Sequence, residues 1–92
     1  MEAYSAIVAE IRADFQIPPY YSDAVIQRAV EECETRLTAL NPYADFDSDK
    51  EGRTLLKNYV YYAMNHKLEE FERNYQTLIK SWQLGTPYAE ES

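Results

Sequence analysis

The chain has 92 residues, 46% hydrophobic and 14% aromatic, with 16 acidic against 9 basic side chains and a formal net charge of −7. That length supports one core rather than two, and the aromatic content excludes a disordered acidic tail. The acidity argues against an autonomous nucleic-acid binder, which neutralises phosphates with Lys and Arg, and against docking on an anionic membrane. The opening Met1-Glu2-Ala3-Tyr4 has neither the basic nor the apolar region of a signal peptide, and no apolar run is long enough to span a bilayer. Two glycines leave little turn chemistry for a sheet of short strands, and the apolar periodicity is helical throughout.

Tyr4, Ile7, Val8, Ile11 and Phe15 follow steps of three and four, which predicts a first helix over about residues 3–15 that Pro18-Pro19 stops. A second helix opens at Ser22-Asp23, with Ser22 as N-cap and Asp23 at the positive end of the dipole. Its apolar side is Ile26, Ala29, Val30, Cys33, Leu37 and Leu40, and Asn41-Pro42 ends it. Residues 41–50 read as an acidic loop that Tyr43 and Phe46 pin down. Ser48-Asp49-Lys50-Glu51 then matches a capping box. From there Leu56, Val60, Met64, Leu68, Phe71, Tyr75, Leu78 and Trp82 keep helical steps with no breaker before Gly85. The expectation is an all-α small helical bundle, residues 1–84, with one long central C-terminal helix over 49–84. A division near Arg73-Asn74 stays open, and residues 85–92 form a flexible tail.

Candidate chemistry is sparse. Asp45-x-Asp47-x-Asp49 has the spacing that opens an EF-hand loop, but Lys50 and Leu56 stand where that loop needs Gly and Glu, so capping and solvation account for the acids. Cys33 is the only cysteine, which leaves no internal disulfide, no Cys-rich zinc site and a fit to a reducing cytoplasm. It falls on an apolar stripe, and the single His66 has only Glu69 and Glu70 in helical reach, so a Cys33–His66 enzyme is the weakest option. No catalytic residue, metal or cofactor is expected.

Two features exceed a plain bundle. Tyr59, Tyr61 and Tyr62 ring the third helix, and Tyr61, Leu68 and Tyr75 share heptad spacing, so this helix has two apolar faces and a second copy of the chain is expected on one of them. Lys50, Arg53 and Lys57 stack at the helix start, against the dipole, and the acidic face of the second helix around Glu31, Glu34 and Asp23 is the expected compensating partner.

This layout resembles the small head–tail connector proteins of tailed bacteriophages and prophages, the DNA-packaging or head-completion adaptors. The resemblance rests on Ala6-Ile7-Val8-Ala9-Glu10-Ile11-Arg12, the break Ile17-Pro18-Pro19-Tyr20-Tyr21-Ser22-Asp23, and Val25-Ile26-Gln27-Arg28-Ala29-Val30-Glu31-Glu32-Cys33. It also rests on Leu55-Leu56-Lys57-Asn58-Tyr59-Val60-Tyr61-Tyr62, continued in Leu68-Glu69-Glu70-Phe71-Glu72-Arg73-Asn74-Tyr75. It implies a non-enzymatic protein of the virion neck, assembled in the host bacterial cytoplasm as a closed ring of about a dozen copies under the portal protein. Such a ring extends the channel through which DNA passes without sequence-specific binding, and docks a stopper or tail-completion protein. Trp82, Leu84 and Tyr88 are then expected to dock the portal. The competing expectation is a small acidic regulator, of antitoxin or DNA-mimic type, that binds a basic protein surface.

Overall fold

The computed structural model describes residues 4–85, and its regular elements are four helices: α1 (Ser5–Asp14), α2 (Asp23–Leu40), α3 (Lys50–Met64) and α4 (Leu68–Gly85). The all-α expectation holds, with no strand among the described residues. Consecutive helices fold back on one another: α2 packs on α3, α3 on α4, and α1 covers the α2–α3 pair. Ile7, Val8 and Ile11 of α1 meet Ile26, Val30, Cys33 and Leu37 of α2 and Leu55, Leu56, Tyr59 and Val60 of α3 in one core. None of the described helices is long and apolar enough to cross a membrane.

Local chemistry sets the helix ends. Ser22 caps α2 as expected, its hydroxyl accepting from the Val25 N–H at 3.2 Å. At α3 the cap falls one residue later than the capping-box pattern predicts. Asp49 rather than Ser48 is the N-cap, and its Oδ1 accepts from the Glu51 N–H at 3.1 Å. Both α1 and α3 close without glycine. Gln16 (φ 51°) and His66 (φ 58°) adopt the left-handed conformation. The Ile17 N–H donates to the Arg12 carbonyl at 3.1 Å, and the Lys67 N–H to the Tyr62 carbonyl at 2.8 Å, the six-to-one bond of a Schellman ending.

The single helix expected over 49–84 is therefore divided, and at Asn65-His66-Lys67 rather than near Arg73-Asn74, which lie inside α4. Burial explains the reversal. An unbroken helix of that span would run about 54 Å, longer than the 44 Å long axis of the molecule. Its far half would carry Phe71 and Trp82 away from the core. Turned back, Phe71 stacks on Tyr59 with centroids 4.4 Å apart, and Trp82 becomes 2% exposed.

Trp82 locks the end of α4 to the start of α3. Its Nε1–H donates to Asp49 Oδ2 at 2.7 Å, and its ring packs at 5.8 Å from Phe46, the residue by which the acidic loop is anchored. Gly52 makes room: a Cβ there would lie 2.8 Å from Asp49 Oδ2 and 2.9 Å from Trp82 Nε1.

Two stability predictions follow from this geometry. Gly52→Ala should destabilise the fold by about 1–3 kcal/mol in urea denaturation, the usual cost of overpacking. His66→Gly should stabilise it by about 0.5–1 kcal/mol, because release of left-handed strain outweighs the added chain entropy of glycine. A loss of stability on His66→Gly would mean that the α3–α4 turn is not closed as described.

Candidate functional site

The tyrosines expected to meet a neighbouring copy mostly build the α3–α4 contact of their own chain. Tyr59 is 5% exposed and stacked on Phe71. Tyr62 approaches Phe71 and Tyr75 edge-on, at 5.6 and 5.8 Å. Tyr75 stacks on Phe71 at 4.6 Å, and its hydroxyl donates to Asn58 Oδ1 at 3.4 Å. Tyr61 faces the other way, stacked on Phe15 at the end of α1 with 37% of its surface exposed. The heptad alignment of Tyr61, Leu68 and Tyr75 needs an unbroken helix, and the turn at His66 dissolves it. Leu68, half-buried, packs against the core at the start of α4.

Two of the three cations at the start of α3, Arg53 and Lys57, are engaged within the chain, by α1 rather than by α2. Arg53 donates to both oxygens of Glu10, at 3.0 and 2.6 Å, and to the Phe46 carbonyl at 3.0 Å. Lys57 reaches Asp14 at 2.8 Å and Glu10 at 3.4 Å. Within the chain Arg53 and Lys57 do not pair with α2 as the sequence suggests; their α1 partners lie more than forty residues away, beyond the reach of local pattern. Lys50 and Glu31 are exposed, and Glu34 instead accepts from the Tyr4 hydroxyl at 2.7 Å. That hydrogen bond, with burial, pushes the Tyr4 phenol up to about 12.

The remaining candidates resolve locally. Asp45 Oδ1 accepts from the Asp47 N–H at 3.0 Å, and hydrogen bonds from Asp47 and Ser48 hold its carboxyl below the usual range. Asp49 caps α3 and holds Trp82, so two of the three acids serve turns, and no acid, His or Cys cluster suited to a metal occurs among the described residues. Cys33 is buried in the core, and burial pushes its thiol up to about 12, the opposite of an activated nucleophile. His66 is exposed at the α3–α4 turn. Trp82, expected in a docking tail, is a core residue, whereas Leu84 beside it is 89% exposed. Tyr88 and residues 86–92 of the expected tail lie outside the described residues.

Leu78 of α4 and Tyr61 of α3 are exposed, and further exposed apolar side chains gather at the two ends of α2, about 27 Å apart along an 18-residue helix. At the N-terminal end, the Pro18-Pro19-Tyr20-Tyr21 turn holds out Tyr20, 80% exposed, beside Tyr21 at 4.9 Å. Arg12 fixes this turn, donating to the carbonyls of Pro18 at 3.4 Å and Tyr21 at 2.7 Å and to Asp23 Oδ1 at 2.7 Å. At the C-terminal end, Gln83 donates to the Leu40 carbonyl at 2.7 Å and brings the end of α4 beside the end of α2. Leu40, Pro42, Tyr43 and Leu84 there line an open cavity of about 480 Å³ whose charged side chain is Lys80. A second groove, about 520 Å³, runs between α2 and α4 over Leu37, Tyr59, Phe71 and Ile79. The Pro18-Pro19-Tyr20-Tyr21 stretch does more than stop a helix. Two aromatics following a double proline were the available signal that a rigid turn presents a ring.

Comparison with family models, with curated proteins and with solved structures returns no match to this chain.

The Glu10 pairing gives a pH prediction. Its carboxyl is held below the ordinary range, first by the Arg53 hydrogen bond. A carboxyl lowered in the folded state stabilises fully above its unfolded value, and that stabilisation is lost as pH falls through the folded value. Glu10→Gln should therefore flatten the acid limb of the stability curve, followed by urea denaturation between about pH 6 and pH 3. An acid limb identical to that of the parent chain would show that the pairing contributes nothing.

Proposed function

We propose that the chain is a non-catalytic assembly protein of a tailed phage or prophage. It acts as a head–tail connector that associates with copies of itself and with the portal protein at the virion neck and docks a stopper or tail-completion protein. The helix layout that resembles the connector family motivates the reading. The observation that carries it is the pair of exposed apolar surfaces at opposite ends of α2, the Tyr20 turn and the Leu40–Tyr43–Leu84 cavity. A domain of this size buries a smaller share of its surface than a large one does, and rigid exposed aromatics are the usual anchors of protein interfaces. The residues first expected at the subunit interface now divide. Tyr61, Lys50 and Glu31 keep exposed surface for a neighbour, while Arg53, Lys57, Tyr59 and Tyr62 support their own fold. Leu84, without Trp82, remains the described candidate for portal docking.

The alternative, a small acidic regulator, draws on Glu31, Glu32, Glu69, Glu70 and Glu72, all exposed on α2 and α4. It predicts binding to a basic protein that fades steeply with salt.

Sedimentation of the protein with the portal protein of the phage or prophage that carries it tests the reading. Stable co-migration that survives moderate salt is expected. A chain that ignores portal but binds a basic protein only at low salt would overturn it in favour of the regulator.

A further inference from the structure

We infer that the groove between α2 and α4 receives an amphipathic helix of a partner protein, laid antiparallel to both, with acids in its first turn and bases in its last. The groove adjoins the Leu40–Tyr43–Leu84 cavity across Leu40, Lys80 and Gln83, and the inference needs neither that cavity nor the connector reading.

The shape of the groove selects a helix. α2 and α4 both pack on α3, so they flank a trough instead of covering each other. Each is antiparallel to α3, so the two run in the same direction, and the Gln83 hydrogen bond to the Leu40 carbonyl, 2.7 Å, closes the trough at their C-terminal ends. It holds about 520 Å³, in the range of pockets that bury a ligand. Its floor is the buried Leu37, Tyr59 and Phe71, and its apolar lips are Leu40, 50% exposed, and the half-buried Ile79. An extended segment would find no backbone partner there, because the N–H and C=O groups of both walls are engaged within their own helices. A helix needs none, and it fills such a trough with side chains spaced i, i+4 and i+7.

Charge sets the direction and the chemistry of the occupant. Glu69 and Glu72 stand on the rim at the start of α4, and Lys80 stands at the other end, about 12–16 Å away along the helix. Arg73 lies one turn in from Glu69, which leaves the acidic end with a single net negative charge. These four side chains are exposed and form no ion pair among the described residues, whereas Arg12, Arg53 and Lys57 all do. A helix antiparallel to α4 brings its first turn to Lys80 and its last turn to Glu69 and Glu72. Acids in a first turn and bases in a last turn are also what a helix's own dipole favours. The occupant is therefore stable as a helix and matched to the rim in the same orientation.

Fluorescence anisotropy with a labelled synthetic helix tests the groove. The probe is an alanine-based peptide of about sixteen residues, long enough to hold helix, with Leu at i, i+4 and i+7, Glu in the first turn and Lys in the last. A second probe exchanges its Glu and Lys. The parent chain should bind the first about tenfold more tightly than the second, the effect of turning the rim contacts from attraction to repulsion. A charge-swapped chain, Glu69→Lys and Glu72→Lys with Lys80→Glu, should reverse that preference, which a difference in helicity between the probes could not do. Leu40→Ala should weaken binding of the first probe by about tenfold. All four positions are exposed, so thermal unfolding close to that of the parent serves as the fold control.

A parent chain that binds neither probe at millimolar concentration, as it would if a second copy or another part of its own chain already filled the groove, overturns the inference. So does equal binding of the two probes by the parent, a charge-swapped chain that keeps the parent's preference, or a Leu40→Ala chain that binds as the parent does.

Discussion

The indole of Trp82, bonded to Asp49 and seated over Gly52, is the contact on which the arrangement of α4 depends. Asp49 Oδ1 caps α3 while Oδ2 holds Trp82, so one side chain starts one helix and ties down the end of another. Removing a buried tryptophan costs about 3–5 kcal/mol, a large fraction of what holds so small a domain together. Phe71, three turns away, is the only other fully sheltered ring on α4 among the described residues. Between them these two rings turn the second half of the chain back onto α3 and bring Gln83 against the end of α2.

Charge follows a similar economy. Arg53 sits near the N-terminal end of α3, where the dipole disfavours a cation, Lys57 follows one turn further along, and the carboxylates of Glu10 and Asp14 on α1 pair with both. This cluster fastens α1 across α3, where α1 otherwise contributes only Ile7, Val8 and Ile11 to the core. The exposed acids of α2 and α4 take no part in it. The surface therefore combines a broad acidic field with two small apolar ends, a pattern that permits specific contacts while discouraging indiscriminate ones.

How much of this was legible in the sequence varies with the range of the interaction. The Ser22 cap, the double-proline stop and the apolar faces of α1 and α2 are local, and the sequence states them directly. The division at His66 was not legible, because its left-handed residue is not glycine and because the force that bends the chain is burial of Phe71 and Trp82 against distant partners. For the same reason Trp82 read as part of a tail: nothing nearby in the chain reveals that Asp49, thirty-three residues earlier, awaits its N–H. Gly52 was the one visible hint, a glycine inside a helical pattern with no turn to serve. Tyr20 went unnoticed because an exposed ring leaves no periodic trace, and the tyrosines of α3 were assigned outward because a two-faced helix does not say whether its second face meets a neighbour or its own chain.

Whether α4 is part of the core or a loose docking arm is reported directly by the single tryptophan. Fluorescence of the native protein, with acrylamide as quencher, should give blue-shifted emission and quenching far weaker than in urea. The same emission should shift to the red in Gly52→Ala, where the seat of the indole is disturbed. Native emission already at the position of the unfolded chain, with equal quenching in both states, would contradict the latch, the reversal at His66 and the surfaces built on them.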